Sequence, residues 1–283
     1  MTTREIYNLL FIFLTKACSY FCLFILIFLI SSTLIKAWPE LSFEFLNSYP
    51  SRFANKAGIK AALVGSFYLI CLTSIIALPV GILSALCLEE YIPKKSFTKK
   101  ILELNISNLA SMPSIVYGLI GLALFARFLN FGTSLISGAL TLSLLILPII
   151  IVSTQAALKT VPKAISLAGY AMGAHKYQIV FGLKLPYALT GILTGVILSI
   201  SRAIGESAPL IIVGAVGYVS FLPDNLFDSY TVLPVQIFNW AGRPSADFHN
   251  RAAAAIIILL LVLLSFNIFA IYLRQKSIRN TKS

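Results

Sequence analysis

Charged side chains are scarce in this sequence: Asp, Glu, Lys and Arg make up 11% of its 283 residues. Soluble domains carry roughly a quarter, so a water-soluble enzyme of ordinary composition is excluded. Acid is scarcer still, with 10 Asp and Glu against 22 Lys and Arg and a formal charge of +12. Such a balance would suggest nucleic acid in a soluble chain, but here its distribution matters more than its sum, and nucleic acid is not an expected partner. The two histidines, His175 and His249, have no Cys, Asp or Glu at ligand spacing, so no metal site is expected. The four cysteines, Cys18, Cys22, Cys71 and Cys87, all lie inside apolar runs rather than loops, which excludes a disulfide framework. Cys18 and Cys22 share a helix face and read as small apolar packing residues. No G-x-x-x-x-G-K-[ST] loop is present. The chain itself is therefore not expected to bind ATP, and no cofactor is expected.

What the sequence has in excess is apolar length. Hydrophobic residues make up 58% of it, and six runs reach the roughly 20 residues that a bilayer crossing needs. They lie at about 9–36, 61–88, 104–128, 133–156, 187–217 and 252–273. Six crossings leave no room for a second soluble domain, so one membrane domain over 1–283 is expected. These runs are uniformly apolar for twice the length of a barrel strand, which excludes a transmembrane β-barrel. The first run is longer than a signal-peptide core and lacks an A-x-A site, so it is read as an uncleaved span.

Lys and Arg in short loops mark the cytoplasmic side. Lys94, Lys95, Lys99 and Lys100 fall between spans two and three. Lys159, Lys163, Lys176 and Lys184 fall between spans four and five, and Arg274, Lys276, Arg279 and Lys282 in the tail. The opposite loops carry Arg52 and Lys56 offset by Glu40 and Glu44, and then Asp224, Asp228 and Asp247 in 218–250. Both termini are therefore expected on the cytoplasmic side of an all-α, multi-pass membrane protein.

Two stretches invite chemistry. In the basic segment 159–186, Thr160 is a plausible helix N-cap with Pro162 in the first turn. Ile165, Ala168, Gly169 and Met172 then recur at helical spacing on one small-residue face, where another protein's backbone can approach. Gly173 and Ala174 would end that helix, and a second short one would run to Leu185 before Pro186. The same spacing also suits an interfacial helix that merely connects two spans. The second stretch is inside span five. Arg202 and Glu206 lie near its middle, where insertion scales charge about 2.5–3.5 kcal/mol per ionised group. Pro209 leaves the carbonyl of Gly205 without its helical donor, and Gly205 adds freedom, so a polar, bendable point sits within the bilayer. A structural ion pair between subunits would explain the two charges. So would a cavity in which Arg202, a planar and permanently charged donor, meets an oxyanion.

These residues carry a family resemblance. Gly173-Ala174 and Leu185-Pro186, with Ala168 upstream, resemble the EAA loop of ABC-importer permeases, which implies a coupling helix seated on a cytoplasmic ATPase. Leu167 stands where that motif usually has Glu. Arg202, Gly205, Glu206 and Pro209, within the sequence 202–210, are similar to the phosphate-specific permeases. The block from Ser111 through Pro113 and Tyr117 to Gly121 resembles their third-span motif. Phe238 to Pro244, then Phe248, His249 and the alanines 252–255, resemble the PstA-type rather than the PstC-type subunit. Tyr117 and Gly118 are open to two readings, packing or pathway lining, and Trp240 reads either as an interfacial anchor or as part of a docking surface.

The resemblance implies a type I ABC-importer permease fold in the inner (plasma) membrane, with Arg202, Gly205, Glu206 and Pro209 in the substrate pathway. It places Ile165, Ala168, Gly169, Met172, Gly173 and Ala174 at the ATPase. The implied partners are inorganic phosphate, a PstC-type permease subunit, a PstB-type ATPase dimer that binds the ATP, a phosphate-binding protein outside, and membrane lipid. A permease for sulfate, molybdate or another oxyanion, and a non-transporting sensor or scaffold, are the alternatives. An ion-coupled secondary transporter is disfavoured by the coupling-type loop.

Overall fold

The structure, a computed structural model, describes residues 3–93 and 95–282, without the side chains of a few residues near both ends. Lys94, Arg279 and Lys282, named above for their charge, fall outside what is described for side chains. The described chain is helical, in twelve α-helices. The first, α1 (Thr3–Ala37), leads through a short turn at Trp38–Glu40 into α2 (Phe43–Asn47). Next come α3 (Lys60–Leu86), which runs into a π turn at Cys87–Tyr91, and α4 (Phe97–Ala110). Then follow α5 (Ser114–Gly121), extended by a π segment to Phe128, and α6 (Leu135–Lys159). Two short helices, α7 (Lys163–Ala171) and α8 (Lys176–Ile179), lead through a π turn at Val180–Lys184 into α9 (Leu185–Gly205). The chain closes with α10 (Ala208–Val213), α11 (Leu233–Ala241) and α12 (Ala246–Lys282).

Among the described residues, five stretches are long and apolar enough to cross a membrane unaided: Leu10–Glu40, Lys60–Tyr91, Leu135–Lys159, Lys176–Gly205 and Ala246–Lys276. A sixth crossing is made only if α4 and α5 count together, and these meet at 103°. The span expected at 104–128, where Pro113 reads as a kink, is thus an elbow. Pro113 forces it, because the residue before a proline avoids helical backbone and Pro113 itself sits at ψ 138 as the N-cap of α5. Tyr117 braces the corner by donating its hydroxyl to the carbonyl of Leu109 at 2.7 Å. Pro79, in contrast, lies within a helix that continues to Leu86.

α6 is the axis of the bundle, with α3, α9, α5 and α4 packed around it. Water has no driving role between helices in lipid, so close approach of small residues has to supply the contact. A methyl group on Gly81 would lie 2.7 Å from Ile150, and one on Gly191 2.8 Å from Ala157. On Gly121, Gly138 and Gly195 it would meet Thr141, Tyr230 and Ser153. Buried hydroxyls tie the same helices: Ser143 donates to the carbonyl of Ala139 at 2.7 Å and lies 3.4 Å from that of Thr73. α1 packs mainly along α12 and is otherwise exposed and apolar, as a lipid-facing helix must be.

A separate core closes the end of the bundle opposite the lysines. Trp240 of α11 is fully buried between Phe45 and Phe248, with ring centroids 6.1 and 6.4 Å away. Gln236 accepts from its Nε1 at 2.8 Å and donates to the carbonyl of Gly217 at 3.0 Å. Arg251 fastens the arrangement by pairing with Glu40 at 2.8 Å over the ring of Phe45. Trp240 is therefore neither an interfacial anchor nor an open docking residue. Of the block from 238 to 255 that carried the subunit resemblance, Trp240, Phe248 and Ala252, Ala253, Ala254 and Ala255 are buried in this core, while Phe238, Gly242, Pro244 and His249 are exposed.

Candidate functional site

α9 brings Arg202 to the centre of the bundle, and the height follows from its register on α6. Gly191 packs against Ala157 and Gly195 against Ser153. Two antiparallel helices in that register bring Arg202 level with Ile146, one residue from the midpoint of α6. The Arg202 side chain is 43% exposed and that of Glu206 18%. Arg202 Nε donates to Glu206 Oε1 at 3.3 Å. Among the described residues Arg202 makes no other hydrogen bond or ion pair, so both terminal nitrogens of its guanidinium stay free. Leu198, one turn below, is 67% exposed on the same stripe. An arginine that faces outward at mid-bilayer has no tolerable position against lipid. This face of the chain must line a wet cavity or meet another protein.

The break expected near Pro209 is sharper than a bend. α9 stops at Gly205, Glu206 is extended at φ −78 and ψ 124, and α10 restarts at Ala208 with Pro209 in its first turn. The span expected at 187–217 is thus two helices with a non-helical step beneath Glu206. Glu206 borders a narrow crevice formed with Ser66, Ile70, Val232 and Pro234. Pro209 is buried where α10 crosses α5, and a methyl group on Gly118 would lie 2.8 Å from its Cα. Gly118 is therefore a crossing point, and Tyr117, 4% exposed, is a packing residue. Of the four residues expected in a pathway, Arg202, Glu206 and Gly205 reach the open face, and Pro209 shapes the break behind it.

The basic segment folds as two helices, but its faces are distributed differently from the spacing argument. Thr160 caps the end of α6, donating to the carbonyl of Ala157 at 2.7 Å; the N-cap of α7 is Pro162. Gly169 is buried under Ile179, which a methyl group would approach to 2.8 Å. It holds α7 against α8 and does not face outward, and Ile165, one turn before it, is half-buried. The outer face is made instead by Leu167 (68% exposed), Ala168, Tyr170 and Met172 (88% exposed). Gly173 ends α7 at φ +77. Its N–H bonds the carbonyl of Tyr170 at 2.9 Å and that of Ala174 the carbonyl of Gly169 at 3.1 Å, a Schellman close that glycine accommodates without strain.

Spacing gave no hint of a third charged group. Glu89 and Glu90, at the π turn after α3, gather Lys99, Lys159 and Lys184 around them. Those lysines were legible only as a marker of one membrane face. Among the described residues, no group of three His, Cys, Asp or Glu is placed to hold a metal.

Residues 77–279 match the family described as binding-protein-dependent transport system inner membrane component. The chain is 31% identical to the phosphate transport system permease protein PstA of Haemophilus influenzae, over 94% of this chain and 93% of that protein. It is 33% identical to that of Yersinia pestis, over 95% and 91%. The probable ABC transporter permease YqgI of Bacillus subtilis is 35% identical over 66% of this chain and 63% of its own length. Among solved structures, the bacterial ABC transporter involved in alginate import aligns over 96% of this chain and 98% of its own, with TM-score 0.70 and 16% identity. The inward-facing MetNI methionine transporter aligns over 78% and 94% with TM-score 0.61 and 19% identity; likenesses this remote speak for the fold alone. Matched over most of its length by sequence and by shape, the chain belongs to the inner-membrane components of binding-protein-dependent transport systems, and is a permease subunit of an ABC importer rather than an enzyme.

Proposed function

We propose that this subunit carries inorganic phosphate across the inner membrane, paired with a homologous PstC-type subunit and driven by a PstB-type ATPase dimer. The observation that carries the reading is the half-exposed Arg202 at mid-bilayer, clipped by Glu206 on one nitrogen and free on the other two. A guanidinium presents paired donors that fit two oxygens of one oxyanion. Phosphate carries about −1 to −2 near neutral pH, by analogy with phosphate esters. The PstA names of relatives that span nearly the whole chain support phosphate over other oxyanions.

In this reading the exposed flank of α9 faces the partner subunit, and the two enclose the pathway. The loops with excess lysine lie in the cytoplasm together with both termini. ATP-driven closure of the ATPases moves the tip formed by Leu167, Ala168, Tyr170 and Met172, and the cavity opens outward to a phosphate-binding protein. Phosphate displaces Glu206 from part of the guanidinium, and reversal on hydrolysis releases it inward. Gly205 and the step at Glu206–Ser207 supply the freedom for that exchange.

Labelled-phosphate uptake tests this in cells that lack their own phosphate permease and express this chain with its partner subunits. Uptake that resists excess sulfate and molybdate and vanishes in Arg202→Ala, at equal membrane abundance, is expected. Uptake abolished by either competitor reassigns the substrate. Wild-type uptake in the mutant removes Arg202 from the pathway, and a signalling change with intact uptake makes the chain a sensor. Phosphate movement by the purified chain without an ATPase overturns ATP coupling.

A further inference from the structure

The π turn at the end of α3 carries two consecutive acids that address different neighbours. Successive helical residues are turned by about 100°. Glu89 faces α4 and α6: its Oε2 lies 3.0 Å from Lys99 Nζ and 3.9 Å from Lys159 Nζ. Lys99 also reaches Glu103 at 3.8 Å, and Glu103 accepts from Gln155 Nε2 at 3.2 Å. The Lys99 and Glu89 side chains are only 7% and 6% exposed, so this group binds α3, α4 and α6 into one body. Glu90 faces the other way. Both of its oxygens accept from Lys184 Nζ, at 2.8 and 2.6 Å, and Lys184 is the residue at which the π turn after α8 enters α9. Beside it, Lys176 Nζ stands 4.9 Å above the ring of Tyr91.

Among the described residues, Lys184–Glu90 is the only ion pair between the segment 163–184 and the rest of the chain. Besides the Lys176 ammonium over the Tyr91 ring, the segment rests on apolar contacts, where Val180 packs with Leu86, Leu158 and Ala188. Apolar surfaces hold two bodies together without fixing their register, since dispersion and burial are non-directional. A largely desolvated ammonium held by both oxygens of one carboxylate fixes it, because parting them strands two charges.

We propose that Glu90–Lys184 is the link through which displacement of the ATPase-facing segment reaches α3, and that the Glu89 group makes α4 and α6 follow. Glu90 and Lys184 are positioning residues for the transport step. The proposal rests on the ATP-coupled reading above. The bodies so joined end where the backbone leaves the helix, at the elbow by Pro113 and at the step by Glu206.

The test uses the assembled transporter in lipid nanodiscs, with the four native cysteines replaced. Spin labels at Tyr177 in the segment and Phe67 on α3, both exposed, report the distance between the two bodies with and without trapped ATP. The link predicts one distance in both states, and in Lys184→Met a distance that changes when ATP is trapped. Phosphate moved per ATP hydrolysed, measured on the same preparations in liposomes, should fall about tenfold in Lys184→Met and Glu90→Gln. It should recover when Glu90→Lys and Lys184→Glu are combined. A state-independent distance and an unchanged ratio in Lys184→Met overturn the link and leave the phosphate reading standing. The expected distances in a transporter that moves no phosphate keep the link and overturn the phosphate reading. Where a single variant does not assemble, the swapped pair decides: coupled transport supports the link, while uncoupled transport or failure to assemble refutes it.

Discussion

Two charged groups in this molecule use the same chemistry in opposite ways. At the lysine-rich end, buried Glu89 and Lys99 pair with each other and with Glu103 and Lys159 at a more exposed rim, and Gln155 donates to Glu103. At mid-bilayer, Arg202 has a single partner at 3.3 Å and an open flank. A saturated network has no capacity left for a ligand, and its removal is costly because each surviving charge is stranded. A half-satisfied guanidinium contributes little to its own chain and keeps donors in reserve. If Arg202 binds substrate as proposed, holding and binding are separated along the membrane normal, and the contrast predicts opposite mutational signatures.

The largest effect should come from opening the saturated network. Lys99→Ala is expected to destabilise the subunit by about 3–5 kcal/mol, read as a lowered Tm of the detergent-purified protein. Pairing Glu89→Leu with Lys99→Leu should recover part of that loss, and a double variant no better than the single would break the comparison on this side. Arg202→Ala should do the reverse. Its stability, read from Tm, should stay within about 0.5 kcal/mol of wild type, while uptake falls about a hundredfold, within the ~2–5 kcal/mol that follows loss of one partner from a desolvated charge contact. Arg202→Lys, which keeps the charge without the fork, should retain a minor part of the uptake.

The register of α9 on α6 offers a third test. Gly195→Val has to displace Ser153 and should cost about 1–3 kcal/mol. Uptake measured at equal abundance should fall as well, because the same crossing sets the height of Arg202. Glu206→Gln is smaller: a partly exposed pair contributes about 0–1 kcal/mol, so uptake should change no more than a few-fold with Tm unmoved. Smallest for the fold is Met172→Ser at the exposed tip, within about 0.5 kcal/mol in stability. Its effect should appear in co-purification with the ATPase instead.

The sequence disclosed one of these two groups and hid the other, for a physical reason. Arg202 and Glu206 stand one turn apart in an apolar run, so their cost in lipid marks them without knowledge of the fold. Gly205 and Pro209 mark the break beside them in the same local way. In the other group Glu103 and Gln155 lie 52 positions apart, and in the adjoining pair Glu90 and Lys184 lie 94 apart, and nothing in these neighbourhoods signals the partner. Only the packing of α3 beside the segment that follows α6 brings the last two together. Gly169 was misplaced because small residues at helical spacing suit an inner crossing and an outer face equally well. Trp240 was misread because a loop of some thirty residues conceals a helix: Leu233, Val235, Gln236 and Trp240 form its buried side. The elbow at Pro113 was legible as a kink, but its size depends on Tyr117 reaching Leu109, a contact that no local pattern reveals.

The π turn at Cys87–Tyr91 fits one more residue into its turn than an α-helix would. Deleting a single residue there would tighten the turn to α geometry and swing the remainder of the chain end by about 100°. Glu89 and Glu90 could not then both keep their partners, although every side chain of the pair-forming set would still be encoded. A gene that lost the codon for Leu88 would make a protein with the same spans and the same charges, and, on the link proposed above, no fixed register between the segment 163–184 and α3.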